Sequence, residues 1–106
     1  MRVVLAEDHY LVREGTRQLL ESSGEVDVVA AVEDAEALIE AVGRIEPEAV
    51  ITDIRMPPQH QTEGIEAAHA IRADHPVAAI QVAGALDVLV GFPGVADVLR
   101  ALPAAL

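Results

Sequence analysis

Three acidic residues stand where carboxylate chemistry needs them. Glu7 and Asp8 follow directly on the apolar run Val3-Val4-Leu5-Ala6, and Asp53 follows directly on Ala49-Val50-Ile51-Thr52. A carboxylate at such a place can act as a nucleophile, a general base or a ligand for a hard cation. Two unit charges 4 Å apart repel by about 4 kcal/mol at an effective dielectric near 20. If the runs before these acids are neighbouring strands, three carboxylates converge, and together they need a proton or a cation. A divalent ion such as Mg²⁺, bound through carboxylate oxygens, a backbone carbonyl and waters, is the natural counterion. Other chemistries have less support. There is no cysteine, hence no thiolate and no Cys-based zinc site. His9, His60, His69 and His75 show no ligand spacing relative to one another.

The elements that carry these acids alternate between two periodicities. Val3 to Ala6 is a continuous apolar run, the pattern of a strand buried on both faces. Leu11, Val12, Gly15, Leu19 and Leu20 then recur at helical spacing, with Arg13, Glu14, Arg17, Gln18 and Glu21 opposite, so a helix is expected from about 10 to 22. Val26 to Val32 is β-branched and apolar and reads as a second strand. Ala35, Leu38, Ile39, Val42 and Ile45 mark a second helix, started near Glu33 or Asp34 and ended by Pro47. After the strand Ala49–Thr52 comes a loop with Pro57, Pro58 and Gly64. Ile65, Ala68 and Ile71 give a third helix that stops before Pro76, and Val77 to about Ala83 is a fourth strand. Strand and helix in strict alternation with short loops imply parallel pairing through right-handed crossovers. The expected fold is an open α/β sheet with helices on both faces, whose strand C-termini share one edge.

The residues Val3-Val4-Leu5-Ala6-Glu7-Asp8-His9, Leu11-Val12-Arg13-Glu14-Gly15 and Val50-Ile51-Thr52-Asp53-Ile54-Arg55-Met56-Pro57, with Gly64 opening the third helix, carry a resemblance. Over about residues 1 to 76 the chain resembles the receiver domains of two-component response regulators, in particular those that precede a LuxR-type helix-turn-helix. The resemblance implies a flavodoxin-like (CheY-like) sheet of order 2-1-3-4-5. It further implies that Asp53 is the phosphoacceptor, that Glu7 and Asp8 join Asp53 in holding Mg²⁺, that Arg55 lends its backbone carbonyl, and that a sensor histidine kinase supplies the phosphoryl group. A carboxylate nucleophile then forms an acyl phosphate, with catalysis resting on position and on neutralising the phosphoryl oxygens.

The second half of that site departs from the family. Receiver domains place a Ser or Thr at the end of the fourth strand and a Lys at the end of the fifth. Here no Ser or Thr follows Thr62, all seven basic residues are Arg, and Val82, Ala83 and Gly84 stand where the hydroxyl is expected. Arg100 lies in a helix-like stripe rather than at a strand end. A phosphatase with an Asp nucleophile is the opposing class. It is disfavoured because Arg55 occupies the position, two residues on, where such an enzyme needs a second Asp. A degenerate dimerisation module without phosphorylation is the remaining alternative. Gly64 is read as a backbone turn, His9 as a cap or packing residue of the first helix, and Tyr10 and Phe92 as packing residues.

Composition bounds the rest. The 106 residues are 52% hydrophobic and carry 18 acids against 7 bases, a formal charge of -11. One small domain fits that length. Its charge repels phosphate backbones and anionic lipid, which disfavours nucleic-acid and membrane partners. The longest stretch without charged or polar side chains, Val88 to Ala96, is nine residues, against about twenty for a membrane span. A cytoplasmic setting is compatible with the lack of cysteine. Only Asp87, Asp97 and Arg100 are charged among the last 30 residues, and Val95, Val98, Leu99 and Leu102 give a short helical stripe there. The expected organisation is a receiver-like core over 1–83 and a divergent apolar tail over 84–106, with no DNA-binding domain. The 32 residues after Asp74 hold a fourth strand and one helix, so the sheet is expected to be incomplete beyond the fourth strand. Uncovered strand edges and apolar flanks recruit partners, hence the expectation of a homodimer through about 84–106.

Overall fold

A computed structural model describes residues 1–82. The elements are β1 (Arg2–Ala6), α1 (Tyr10–Glu21), β2 (Asp27–Val32), α2 (Ala35–Ile45), β3 (Ala49–Thr52), α3 (Glu63–Asp74) and β4 (Ala79–Val82). All strand pairs are parallel, in the order β2-β1-β3-β4. This is the open parallel sheet expected, with the same strand order as far as β4. The terminal helical stripe, Phe92, Arg100 and any contact made by 84–106 lie outside the described residues.

The continuous apolar runs are explained by what covers each face. Alternate residues of a strand point to opposite sides. Val4, Ala6, Val50 and Ile80 pack with Leu38, Ala41 and Val42 of α2 and Ala67, Ala68 and Ile71 of α3. Val3, Leu5, Ala49 and Ile51 belong to a second core with Leu20 of α1. From β2 the chain returns across β1 to β3, so right-handed crossovers put α1 on one face and α2 and α3 on the other. The reversal falls between β1 and β3, and the ends of these two strands form the switch point where ligands of open α/β sheets collect.

Several local expectations are corrected. Pairing of β4 begins only at Ala79, opposite Ala49. The chain leaves α3 through a turn in which the Ala78 N–H donates to the His75 carbonyl, and Val77 is left 96% exposed before the Ala79 N–H reaches the Glu48 carbonyl. In α1 the inward face is centred on Thr16 and Leu20, whereas Leu11 is 73% exposed and Leu19 is exposed as well. Tyr10 is a surface residue at 62% exposure with the Arg13 guanidinium 5.5 Å from its ring centre, not a core residue. His9 sits at the N-cap of α1 but its side chain makes no cap hydrogen bond. For α2 the signals are as expected. The Asp34 carboxylate accepts from the Ala37 N–H at 2.7 Å, and Glu46 in a left-handed conformation ends the helix before Pro47.

Candidate functional site

The C-terminal ends of β1 and β3 bring the three predicted acids together. These strands pair in register from Val3 opposite Ala49 to Ala6 opposite Thr52, so the residues that follow leave the sheet side by side. The Asp53 N–H donates to the Ala6 carbonyl at 2.9 Å and the Glu7 N–H to the Val32 carbonyl at 2.9 Å, extending the ladder into the site. One carboxylate oxygen from each of Glu7, Asp8 and Asp53 lies within 4.8 Å of the others. Each has a different setting. Glu7 is buried at 5% exposure and accepts from the His9 N–H at 3.0 Å, while Asp8 and Asp53 are half-buried. Asp53 Oδ1 accepts from the Ile54 N–H at 2.8 Å.

The arrangement carries a large electrostatic cost. Burial pushes the Glu7 carboxyl up from 4.5 to about 8; the His9 N–H works against this shift, and Asp53 and then Asp8 add to it. Among the described residues no arginine forms an ion pair with any of the three. The Arg13 guanidinium, although adjacent, donates to the Glu7 backbone carbonyl at 2.8 Å. A neutral Glu7 therefore relieves the repulsion in the absence of a cation. Three convergent oxygens of this kind are a donor set for a hard dication, and the residues present fit Mg²⁺. Arg55, two residues beyond Asp53, has an exposed side chain.

The loop after Asp53 is fixed by residues whose part the sequence did not disclose. Met56 is fully buried and anchors it. Gly64 is needed not for a turn but for close approach. A Cβ there would overlap the Asp53 carbonyl oxygen and stand 2.7 Å from its carbon, while the Gly64 N–H donates to the Ile54 carbonyl at 2.9 Å. Glu63, 8% exposed, accepts from the Gln59 N–H at 2.9 Å and the Gln61 N–H at 2.8 Å. Burial works against its ionisation, but bonds from the N–H groups of Gln61, Glu63 and Gln59 prevail and hold its pKa below the ordinary value. His60 places Nε2 3.0 Å from Asp8 Oδ2. No spacing rule links positions 52 residues apart, so this contact was not readable from sequence; Glu63, next to Thr62 and four residues before Ala67, carries only a weak helix-start signal.

Thr52 does not supply a hydroxyl to the site. Its Oγ1 donates to the Asp53 backbone carbonyl at 3.0 Å, and the residue is buried. His69 is exposed on α3 and His75 half-buried at its C-terminus, and among the described residues neither joins the acids in the metal-ligand cluster.

Comparison with known proteins agrees with this geometry. The response regulator receiver domain family matches residues 3–89. The transcriptional regulatory protein RcsB of Escherichia coli K12 is 35% identical over 82 residues, covering 77% of this chain and 38% of RcsB. DegU of Brevibacillus brevis, also a transcriptional regulatory protein, is 34% identical over 76 residues, 72% of this chain and 31% of DegU. The chain thus spans well under half the length of these curated relatives. The non-phosphorylated receiver domain of E. coli RcsB superposes with a TM-score of 0.72 at 28% identity, covering 98% of this chain and 91% of that one. A LuxR-family two-component response regulator from Aurantimonas gives 0.69 at 34% identity, over 76% of this chain and 56% of that one. No helix among the described residues is long and apolar enough to cross a membrane. A family match across most of the chain, the β2-β1-β3-β4 sheet and the acids gathered at its switch point lead to one assignment: this protein belongs to the response regulator receiver domain family.

Proposed function

We infer that the chain is a phosphoacceptor receiver in which Asp53 accepts the phosphoryl group and Glu7, Asp8, Asp53 and the Arg55 backbone carbonyl hold Mg²⁺. The observation that carries this reading is the convergence of the three carboxylates within 4.8 Å without an arginine counterion among the described residues. A bound Mg²⁺ supplies charge neutralisation for the phosphoryl oxygens. The residues of the chain do the rest. The Ile54 N–H holds one Asp53 oxygen, which orients the carboxylate. A carboxylate oxygen attacks phosphorus, the bond between phosphorus and the donor breaks, and the donor leaves with the electron pair, a histidine of a sensor kinase taking up a proton as it does so. The product is the Asp53 acyl phosphate.

The chain has no lysine and no hydroxyl side chain beyond Thr62. Without that lysine and that hydroxyl on the phosphoryl oxygens, transfer is expected to be slow and the response of the fold to phosphorylation weak. Output then runs through protein contacts, with self-association through about 84–106 as its form. Arg55, exposed and two residues beyond Asp53, offers no general acid, which argues against a phosphatase.

The test is incubation of the full chain with Mg²⁺ and acetyl phosphate or beryllofluoride, read by mass and by spectral change, alongside Asp53→Ala. Uptake by the parent and none by the variant is expected. Uptake that persists in Asp53→Ala rejects the phosphoacceptor role, and absence of Mg²⁺ binding rejects the metal site. Sedimentation of the full chain against a chain ending at residue 83 tests the dimer, which the shorter chain is expected to lose.

A further inference from the structure

The strongest observation outside the expected ligand set is the turn that leans on Asp8. His60 is one of two non-glycine residues among the described ones with positive φ, at 55°. A side chain in that region is sterically disfavoured, and such residues persist where their surroundings over-determine them, often at functional sites. The surroundings here do so. The His60 N–H donates to the carbonyl of the fully buried Met56 at 2.9 Å, and the N–H groups on either side, of Gln59 and Gln61, both go to the Glu63 carboxylate. That carboxylate is itself buried at the start of α3, beside the Gly64 that closes on Asp53. The result of this construction is a single long-range side-chain contact, His60 Nε2 to Asp8 Oδ2 at 3.0 Å. An ionised carboxylate only accepts, so Nε2 is the donor whether the ring is neutral or charged.

We propose that His60 is a positioning residue of the acidic site: held by the Glu63-clamped turn, it fixes the Asp8 carboxylate through one oxygen and leaves the other to the dication. The inference rests on the metal reading given above. A carboxylate has two oxygens and about four lone-pair sites, so it can accept from His60 and still ligate. Partners of this kind, bonded behind a ligand, set its orientation and basicity, and their loss commonly weakens metal binding by 10- to 100-fold. Without the ring Asp8 is free to rotate, and part of the binding energy is spent on ordering it.

The experiment measures Mg²⁺ affinity by calorimetry on the full chain and on His60→Gly, His60→Gln and Glu63→Gln. Glycine removes the ring while easing the left-handed backbone, so the turn is not strained. Glutamine places an amide N–H close to where Nε2 lies. His60→Gly is expected to bind Mg²⁺ about tenfold more weakly, and His60→Gln to recover to within about threefold of the parent. In the metal-free protein the His60 ring resonances are expected to shift on Asp8→Asn and on Glu63→Gln, a signature that mere support of the loop would not give. Unchanged affinity in His60→Gly, or equal losses in the glycine and glutamine variants, overturns the role of His60 while leaving the metal site standing. Ring resonances indifferent to Glu63→Gln overturn the clamp. A parent chain that binds no Mg²⁺ overturns the metal reading and this inference with it.

Discussion

Glu7 is the residue on which the electrostatics of the site turn, and its titration can be read from outside. Its carboxyl has a pKa of 4.5 in the unfolded chain and about 8 in the fold. Below pH 4.5 it is protonated in both states and its contribution to stability is fully present. Between 4.5 and about 8 the unfolded chain has released the proton and the folded one has kept it, so stability falls as pH rises and levels off above about 8. Thermal unfolding without metal at pH 5 and pH 8 is expected to show this decline, with a shallower slope in Glu7→Gln; identical slopes would sink the assignment. Because a ligating carboxylate must be ionised, Mg²⁺ affinity is expected to rise up to about pH 8, with proton release on binding. Gly64 sets a steric condition at the same scale. Gly64→Ala sets a methyl against the backbone of Asp53 and Ile54, neither of which can swing aside, so a loss of about 1–3 kcal/mol is expected from denaturant unfolding, together with weakened Mg²⁺ binding.

The elements divide into those that local chemistry writes plainly and those that tertiary contacts decide. β1 and β3 were legible because strands covered on both faces need apolar residues at every position, and the acids that end them were legible for the same reason. α2 was legible through Asp34 and Pro47. The inward face of α1 was not, because Thr16 faces the core while the more apolar Leu11 and Leu19 face outward. Nor was the start of β4, where the carbonyl of Glu48 rather than the run of apolar residues decides which N–H begins the pairing. The turn that carries His60 is not legible in the sequence, since its backbone conformation has no signature beyond neighbouring Pro and Gly. Where the signals were local, the energetics are local too. Asp34→Ala is expected to cost about 1 kcal/mol through loss of the Ala37 N–H bond. Glu46→Gly, at φ 52°, is expected to gain up to about 1 kcal/mol by releasing a left-handed side chain. Chemical denaturation of both variants checks the pair, and the same sign for the two changes would contradict the cap geometry.

For the whole molecule the decisive quantity is charge, 18 acids against 7 arginines. Repulsion spread over the surface destabilises the compact state and is screened by simple salt, whose Debye length is about 10 Å at 0.1 M. Repulsion concentrated at Glu7, Asp8 and Asp53 is different, since those oxygens lie within 4.8 Å of one another, well inside the screening length of simple salt. The two respond to different titrants. NaCl is expected to raise the unfolding midpoint of the parent and of Asp8→Asn alike. Mg²⁺ at constant ionic strength is expected to raise only the parent, following the logarithmic law for a ligand of the native state, about 2.7 kcal/mol when free Mg²⁺ is 100 times its dissociation constant. Asp8→Asn also removes one of the mutually repelling charges, so without metal it is expected to unfold at a higher temperature than the parent, and in saturating Mg²⁺ at a lower one. A crossing of the two stability curves as Mg²⁺ is added locates the cation at the ends of β1 and β3, because a diffuse ion atmosphere shifts both chains in parallel and cannot reverse their order.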